Sequence, residues 1–165
     1  EESMPHLYEK FILEYYRQHF PGLHASDKAV QWDIPDDTDP GMIRLLPGMH
    51  TDITLRNHGK TLIIDAKYYQ NSLSANMGKQ MLRNAHLYQI YAYVKNEDRA
   101  HTGNVSGMLL YARTTEEIEP WLSVPIGGNQ ISVRSLDLNR PFAEIADSLD
   151  RIAFENFGDS LKRIA

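Results

Sequence analysis

Residues 50 to 69 read H-T-D-I-T-L-R-N-H-G-K-T-L-I-I-D-A-K-Y-Y, two alternating runs parted by the polar break Arg56-Asn57-His58-Gly59-Lys60. Alternation rich in β-branched residues on both sides of such a break predicts a β-hairpin. Side chains two apart on a strand share a face, so Asp65 and Lys67 project to one side and Leu62, Ile64 and Ala66 to the other. On the first strand Asp52 and Thr54 share a face, opposite Ile53 and Leu55. Loop length sets the register. A four-residue loop, Asn57 to Lys60, sets Arg56 across from Thr61, lays Ile53 and Leu55 against Ile64 and Leu62, and brings Asp52 opposite Asp65. A three-residue loop would bury charge and expose leucine, so the four-residue register is expected.

Two carboxylates and a lysine then converge on one polar patch. Neighbouring carboxylates repel, and a hard divalent cation between them relieves the repulsion. Mg²⁺ takes one or two protein carboxylates and completes its shell with water and substrate phosphate oxygens. A lysine beside it can position the attacking water or neutralise charge developing on phosphorus. The reaction class that uses all three parts is metal-assisted phosphodiester hydrolysis. The competing reading is a surface hairpin with an ordinary Asp–Lys pair, which contributes little. Against it, Thr61-Leu62-Ile63-Ile64 is a buried type of strand with little reason to end in Asp65-Ala66-Lys67, the only acidic-x-Lys triplet in the chain.

At 165 residues and 42% hydrophobic, the chain is long enough for one globular domain with its own core, spanning 1–165. No apolar run is long enough for a bilayer, so no membrane role is expected. The chain lacks cysteine, which excludes disulfides and thiolate metal sites and fits a reducing cytoplasm. Its first residue is Glu1 rather than Met, as in a fragment of something longer. A net charge of −5 is unusual for a domain that grips DNA unaided, so a partner is expected to supply the grip. Charge is unevenly spread, with Asp36, Asp37 and Asp39 ahead of the hairpin and Lys79, Arg83, His86 and Arg99 after it. The aspartates lack the spacing, glycine and closing glutamate of a calcium loop and read as a solvated turn.

In chain order, 5–19 reads as an amphipathic helix entered through Pro5, with Leu7, Phe11, Ile12, Tyr15 and Tyr16 as its apolar stripe. Glu9 lies near its start, either as an outer ligand of the metal patch or as a solvated helix glutamate. Strands are predicted at 29–34 and 42–46, on either side of a Pro- and Asp-rich loop. After the hairpin, 70–75 is a polar connection over the mouth of the patch, and 76–95 a long helix capped by Asn76. Met77, Met81, Leu82, Ala85, Tyr88, Ile90 and Ala92 are its packing positions, Lys79, Arg83 and His86 a face for a phosphate backbone, and Gln89 and Tyr93 share a face four apart. A central strand at 105–112, an antiparallel strand at 121–126, a strand at 131–138 and a closing helix at 141–157 complete the chain. The expected class is α/β (α+β), a central mixed sheet flanked by helices.

A helix bearing Glu9, a strand with Asp52, a strand with Asp65-Ala66-Lys67, then a helix and another strand resemble the layout of the PD-(D/E)XK nuclease superfamily. Gly48-Met49-His50-Thr51 stand where that motif often carries a proline. Gln89-Ile90-Tyr91-Ala92-Tyr93 resembles the Gln-x-x-x-Tyr helix of its RecB-like branch. More narrowly, M-H-T-D-I-T-L, L-I-I-D-A-K-Y-Y and L-Y-Q-I-Y-A-Y resemble the McrC nuclease subunits of McrBC modification-dependent restriction systems, from the Y-E-K-F-I-L helix to the closing helix.

The resemblance implies a bacterial, cytoplasmic endonuclease domain, without its N-terminal partner-binding region, that cleaves DNA when assembled with McrB. In that family McrB is a hexameric GTP-driven AAA+ ring that recognises methylated cytosine. This chain carries no G-x-x-x-x-G-K-[ST] loop, so GTP belongs to the partner. On this reading Asp52, Asp65 and the Ala66 carbonyl hold Mg²⁺, with Mn²⁺ as a substitute, and Lys67 orients the water. Glu9 holds a second metal or a bound water, Gln89 and Tyr93 support the site, and Lys79 and Arg83 contact phosphate. Two rivals stand beside it: a RecB-like exonuclease or repair nuclease acting without GTP, and a catalytically silent domain bridging a motor ring to DNA.

Overall fold

The computed structural model describes residues 3–68, 73–76, 79–82, 84–113 and 121–165. Helix α1 (Met4–His19) starts on a Ser3 cap with proline in its first turn, and buries Tyr8, Ile12, Tyr15 and Tyr16. The expected stripe is therefore rotated, leaving Leu7 exposed and Phe11 half-buried. Tyrosine explains the rotation, because a phenol can be buried whole when its hydroxyl finds an acceptor. Tyr8 Oη donates to Leu110 O at 3.1 Å and Tyr16 Oη to Leu149 O at 2.8 Å.

A 3-10 turn (Pro21–Leu23) leads to β1 (Ala29–Val30), α2 (Pro40–Ile43) and β2 (Met49–His50), and β1 pairs antiparallel with β2. Two expectations fail here. The strand at 29–34 is only two residues long, and 42–46 forms the end of α2 and a turn instead of a strand. Asp39 decides the second by accepting a hydrogen bond from Met42 N at 3.3 Å, with Pro40 opening the helix.

The hairpin is β3 (Ile53–Asn57) and β4 (Lys60–Lys67), and Ile53 faces Ile64, Leu55 faces Leu62 and Arg56 faces Thr61. This is the predicted register on a tighter turn, because Asn57 and Lys60 also pair and leave only His58 and Gly59 at the tip. Both tip residues have positive φ, 48° and 80°, the conformation a two-residue hairpin demands. Next come β5 (Leu73–Asn76) and β6 (Lys79–Leu82), an antiparallel pair, and then α3 (Asn84–Glu97). The long helix expected from Asn76 thus begins eight residues late, and Lys79 lies on a strand. Helix propensity is a weak prior, and Gly78 interrupts the run. The connection expected at 70–75 lies outside the described residues up to Ser72, and its remainder belongs to β5.

The chain ends with β7 (Val105–Arg113), β8 (Leu122–Ile126), β9 (Asn129–Asp137) and α4 (Phe142–Phe157). Five strands form one mixed sheet in the order β3-β4-β7-β9-β8, parallel at β4–β7 and β7–β9 and antiparallel at both edges. One face packs Leu62, Ile64, Leu110 and Leu136 against α1 and α4, and the other packs Ile63, Leu109, Ile131 and Val133 against α3. Gly107 lets α3 lie directly on β7, where a Cβ would stand 2.6 Å from Val94 Cγ2 and 2.8 Å from Ile90 Cγ1. A five-stranded mixed sheet flanked by helices is consistent with a PD-(D/E)XK-like core. No helix among the described residues is long and apolar enough to cross a membrane.

Candidate active site

Strands β4 and β7 run parallel, and Asp65 and Lys67 stand at the C-terminal end of β4, beside Leu109 and Tyr111. Sites in open α/β sheets favour that edge of the parallel strands. Asp52 immediately precedes β3 and reaches across the hairpin, its Oδ2 accepting a hydrogen bond from Ala66 N at 2.9 Å. The turn before β3 is braced by Thr51 and Thr54, whose hydroxyl oxygens lie 2.8 Å apart, and by Lys28 N donating to Thr51 Oγ1 at 3.1 Å. Neither threonine was expected at the site. Both are polar side chains buried next to an aspartate, a signal visible only once the fold is known.

Asp65 is buried, and Lys67 Nζ lies 3.1 Å from its Oδ2. The approach is an ion pair without hydrogen-bond geometry, so Oδ2 is a buried carboxylate oxygen whose hydrogen bonding is unsatisfied. Burial pushes the Asp65 carboxyl up to about 7; the hydrogen bond with Asp52 and its charge push the same way, and Lys67 pulls back. Burial also raises Asp52, and the Glu9 charge adds to it, while the Asp65 hydrogen bond, Ala66 N–H and Lys67 oppose. The two carboxyls therefore titrate as a coupled pair. Glu9, half-buried on α1, lies within electrostatic reach. Burial raises its carboxyl first, with the Asp65 charge adding and His6 and Lys67 opposing. Glu9 and Asp52 line one cleft of about 310 Å³ together with His6, His50 and Thr51.

From α3, Gln89 Oε1 accepts a hydrogen bond from Lys67 Nζ at 2.7 Å, and Gln89 Nε2 donates to Tyr93 Oη at 3.0 Å. The lysine, glutamine and tyrosine thus form one line from the sheet into the helix. His86 departs from expectation. It is buried on α3 against Tyr111 rather than presented to a phosphate backbone, whereas Tyr88, expected in the packing, is exposed. Arg83 and Met77 lie outside the described residues.

Among the described residues no three His, Asp or Glu side chains converge as a metal cage. The donor set suits Mg²⁺ or Mn²⁺ in the two-carboxylate manner. Asp65 Oδ2 is orphaned, Asp52 is one residue position across the hairpin, and raised carboxyls are what a divalent cation would bring down.

Residues 3–112 match the family described as McrBC 5-methylcytosine restriction system component. The chain is also similar to the "Type IV methyl-directed restriction enzyme EcoKMcrBC" of Escherichia coli (strain K12), 35% identical over 111 residues. That alignment covers 67% of this chain and 32% of the relative, so the chain spans about a third of the relative's length. The family match contains Glu9, Asp52, Asp65, Lys67, Gln89 and Tyr93, and stops within β7; the expected likeness as far as the closing helix is wider than the match. Over most of its length, and over every residue of the site just described, the chain belongs to the McrBC 5-methylcytosine restriction system component family.

Proposed function

We propose that this chain is the metal-dependent endonuclease domain of a modification-dependent restriction complex. It cleaves DNA phosphodiester bonds when assembled with a GTP-driven AAA+ partner of the McrB kind, in the bacterial cytoplasm. The observation that carries the reading is the coupled Asp52–Asp65 pair with Lys67 fastened between Asp65 and Gln89. A scaffold has no use for two neighbouring carboxyls that burial holds above their ordinary range, whereas perturbed groups of this kind cluster at reactive sites.

Asp52, Asp65 and the Ala66 carbonyl would hold Mg²⁺ or Mn²⁺, with Glu9 as an outer ligand, and the cation would supply positive charge to the scissile phosphate. Lys67 directs its ammonium at the attacking water and at the charge that grows on the non-bridging oxygens. The water oxygen bonds to phosphorus, one bridging P–O bond breaks, and the departing oxygen takes a proton. Gln89 keeps Lys67 from swinging away, and Tyr93 keeps Gln89 in its rotamer. Sequence-independent phosphate contacts fall to Lys79 and Arg83, and recognition of methylcytosine and GTP to the partner. The chain's net charge of −5 agrees with that division, since another subunit must bring the DNA.

The test is cleavage of a methylcytosine-containing duplex by the full-length parent protein assembled with its AAA+ partner, GTP and Mg²⁺. Activity lost in Asp65→Asn and in Asp52→Asn, with assembly intact, is the expected result. Cleavage of DNA ends without partner or GTP would favour the RecB-like reading. Wild-type cleavage by both variants would remove the site altogether.

A further inference from the structure

We propose that His86 and Tyr111 form a positioning pair that holds Lys67 in line, through Gln89, for phosphodiester cleavage; this rests on the nuclease reading above. Tyr111 is the ladder partner of Lys67 on the neighbouring parallel strand, so the two side chains rise side by side from one face of the sheet. Its hydroxyl lies 2.7 Å from His86 Nδ1, the rings are 5.7 Å apart, and both residues are buried. His86 precedes Gln89 by three residues on α3, so the two share a helix face.

Helix α3 is therefore tied to the sheet by two polar bonds on adjacent strands, His86 to Tyr111 on β7 and Gln89 to Lys67 on β4. Neither bond is needed for packing, which Ile90 and Val94 supply a turn further on against Gly107. An imidazole and a phenol buried at such a contact cost free energy unless paired, and apolar residues would hold the helix as well. What the pair adds is direction. It fixes the first turn of α3 along and across β7, so that Gln89 Oε1 falls on the lysine ammonium. Loss of the Tyr111 hydroxyl leaves the packing in place but lets that turn shift, and Lys67 loses its fixed heading.

The test uses Tyr111→Phe, His86→Ala and His86→Gln in the full-length protein assembled with its AAA+ partner. With GTP, Mg²⁺ and a methylcytosine duplex, Tyr111→Phe and His86→Ala should each slow single-turnover cleavage at saturation by about tenfold or more, because small misplacements of reacting groups are costly. KM for DNA should not move, and His86→Gln, whose amide can still bond the phenol, should recover most of the rate. On the present chain alone, the Lys67 ammonium resonance in ¹⁵N NMR should shift in Tyr111→Phe. Wild-type rates in both disruptive variants would overturn the proposal, as would a resonance that stays where it is. A wild-type complex that does not cut DNA would sink the nuclease reading instead, and the resonance would still decide whether the pair holds the lysine.

Discussion

Lys67 Nζ lies 2.7 Å from Gln89 Oε1 on α3 and 3.1 Å from Asp65 Oδ2 on its own strand, so one ammonium joins the helix to the carboxylate pair. Lysine has four rotatable bonds, and a free one would sample many headings. Clamped between an amide and a carboxylate it has few, which is the preorganisation that stabilisation of developing charge requires.

Removing the clamp should separate charge from direction. Lys67→Ala takes away the charge and should lower single-turnover cleavage by about 10²-fold or more. Gln89→Ala keeps the charge and loses its heading, and should cost about 10–100-fold with unchanged DNA affinity. A Gln89→Ala enzyme as fast as wild type would show that the glutamine is packing only.

Asp65 predicts a pH signature in stability. Its folded carboxyl is raised to about 7, above the unfolded value near 3.8, so its contribution is complete below about pH 4 and is lost as pH rises through 7. At pH 8 the folded chain carries a buried carboxylate that Asp65→Asn removes. The variant should therefore melt several degrees above wild type at pH 8, at about 2–4 °C per kcal/mol, with the gap narrowing at pH 5. Mg²⁺ should raise the wild-type melting temperature at pH 8 and leave the variant unmoved, since a ligand stabilises only the state it binds. Scanning calorimetry at the two pH values reads both effects, and a gap independent of pH would contradict a raised Asp65 carboxyl.

Core truncation should behave differently. Leu109 and Leu149 are fully buried on opposite faces of the sheet, one under α3 and one on α4. Replacing either by Ala should cost about 2–5 kcal/mol. Urea unfolding should give that loss at every pH, with no effect of Mg²⁺ on the difference.

The hairpin was legible because a period of two leaves little freedom. Once Leu62 and Ile64 are inward, Ile53 and Leu55 must meet them, and Asp52 must meet Asp65. The spacing of Gln89 and Tyr93 was legible for the same kind of reason, four residues being one helical turn. Buried polar groups were not. Tyr8 took a core position because the Leu110 carbonyl accepts a hydrogen bond from its hydroxyl, over a hundred residues away. His86 gave up a surface role to a tyrosine 25 residues on, and no local pattern marks that partner. The missed strands β5 and β6 reflect propensity read without knowledge of pairing.

Asp98 supplies the last prediction. Burial alone would raise its carboxyl, but four donors, Asn129 Nδ2, Gly103 N, Thr102 N and Thr102 Oγ1, lie at 2.9 to 3.2 Å and hold it down at about 2. The same Asn129 amide donates to Val105 O, so the carboxylate ties the end of α3 to the starts of β7 and β9. With the folded value below the unfolded one, this contribution is present above about pH 4 and is lost as pH falls through 2. It amounts to about 1–2 kcal/mol at neutral pH. Asp98→Asn should therefore destabilise the chain at pH 7 and lose that disadvantage towards pH 2, opposite in sign to Asp65→Asn. Melting curves of the two variants should therefore converge at low pH and spread apart as pH rises, Asp65→Asn above wild type and Asp98→Asn below it, and an Asp98→Asn curve parallel to wild type would mean that the Asp98 cage does not form.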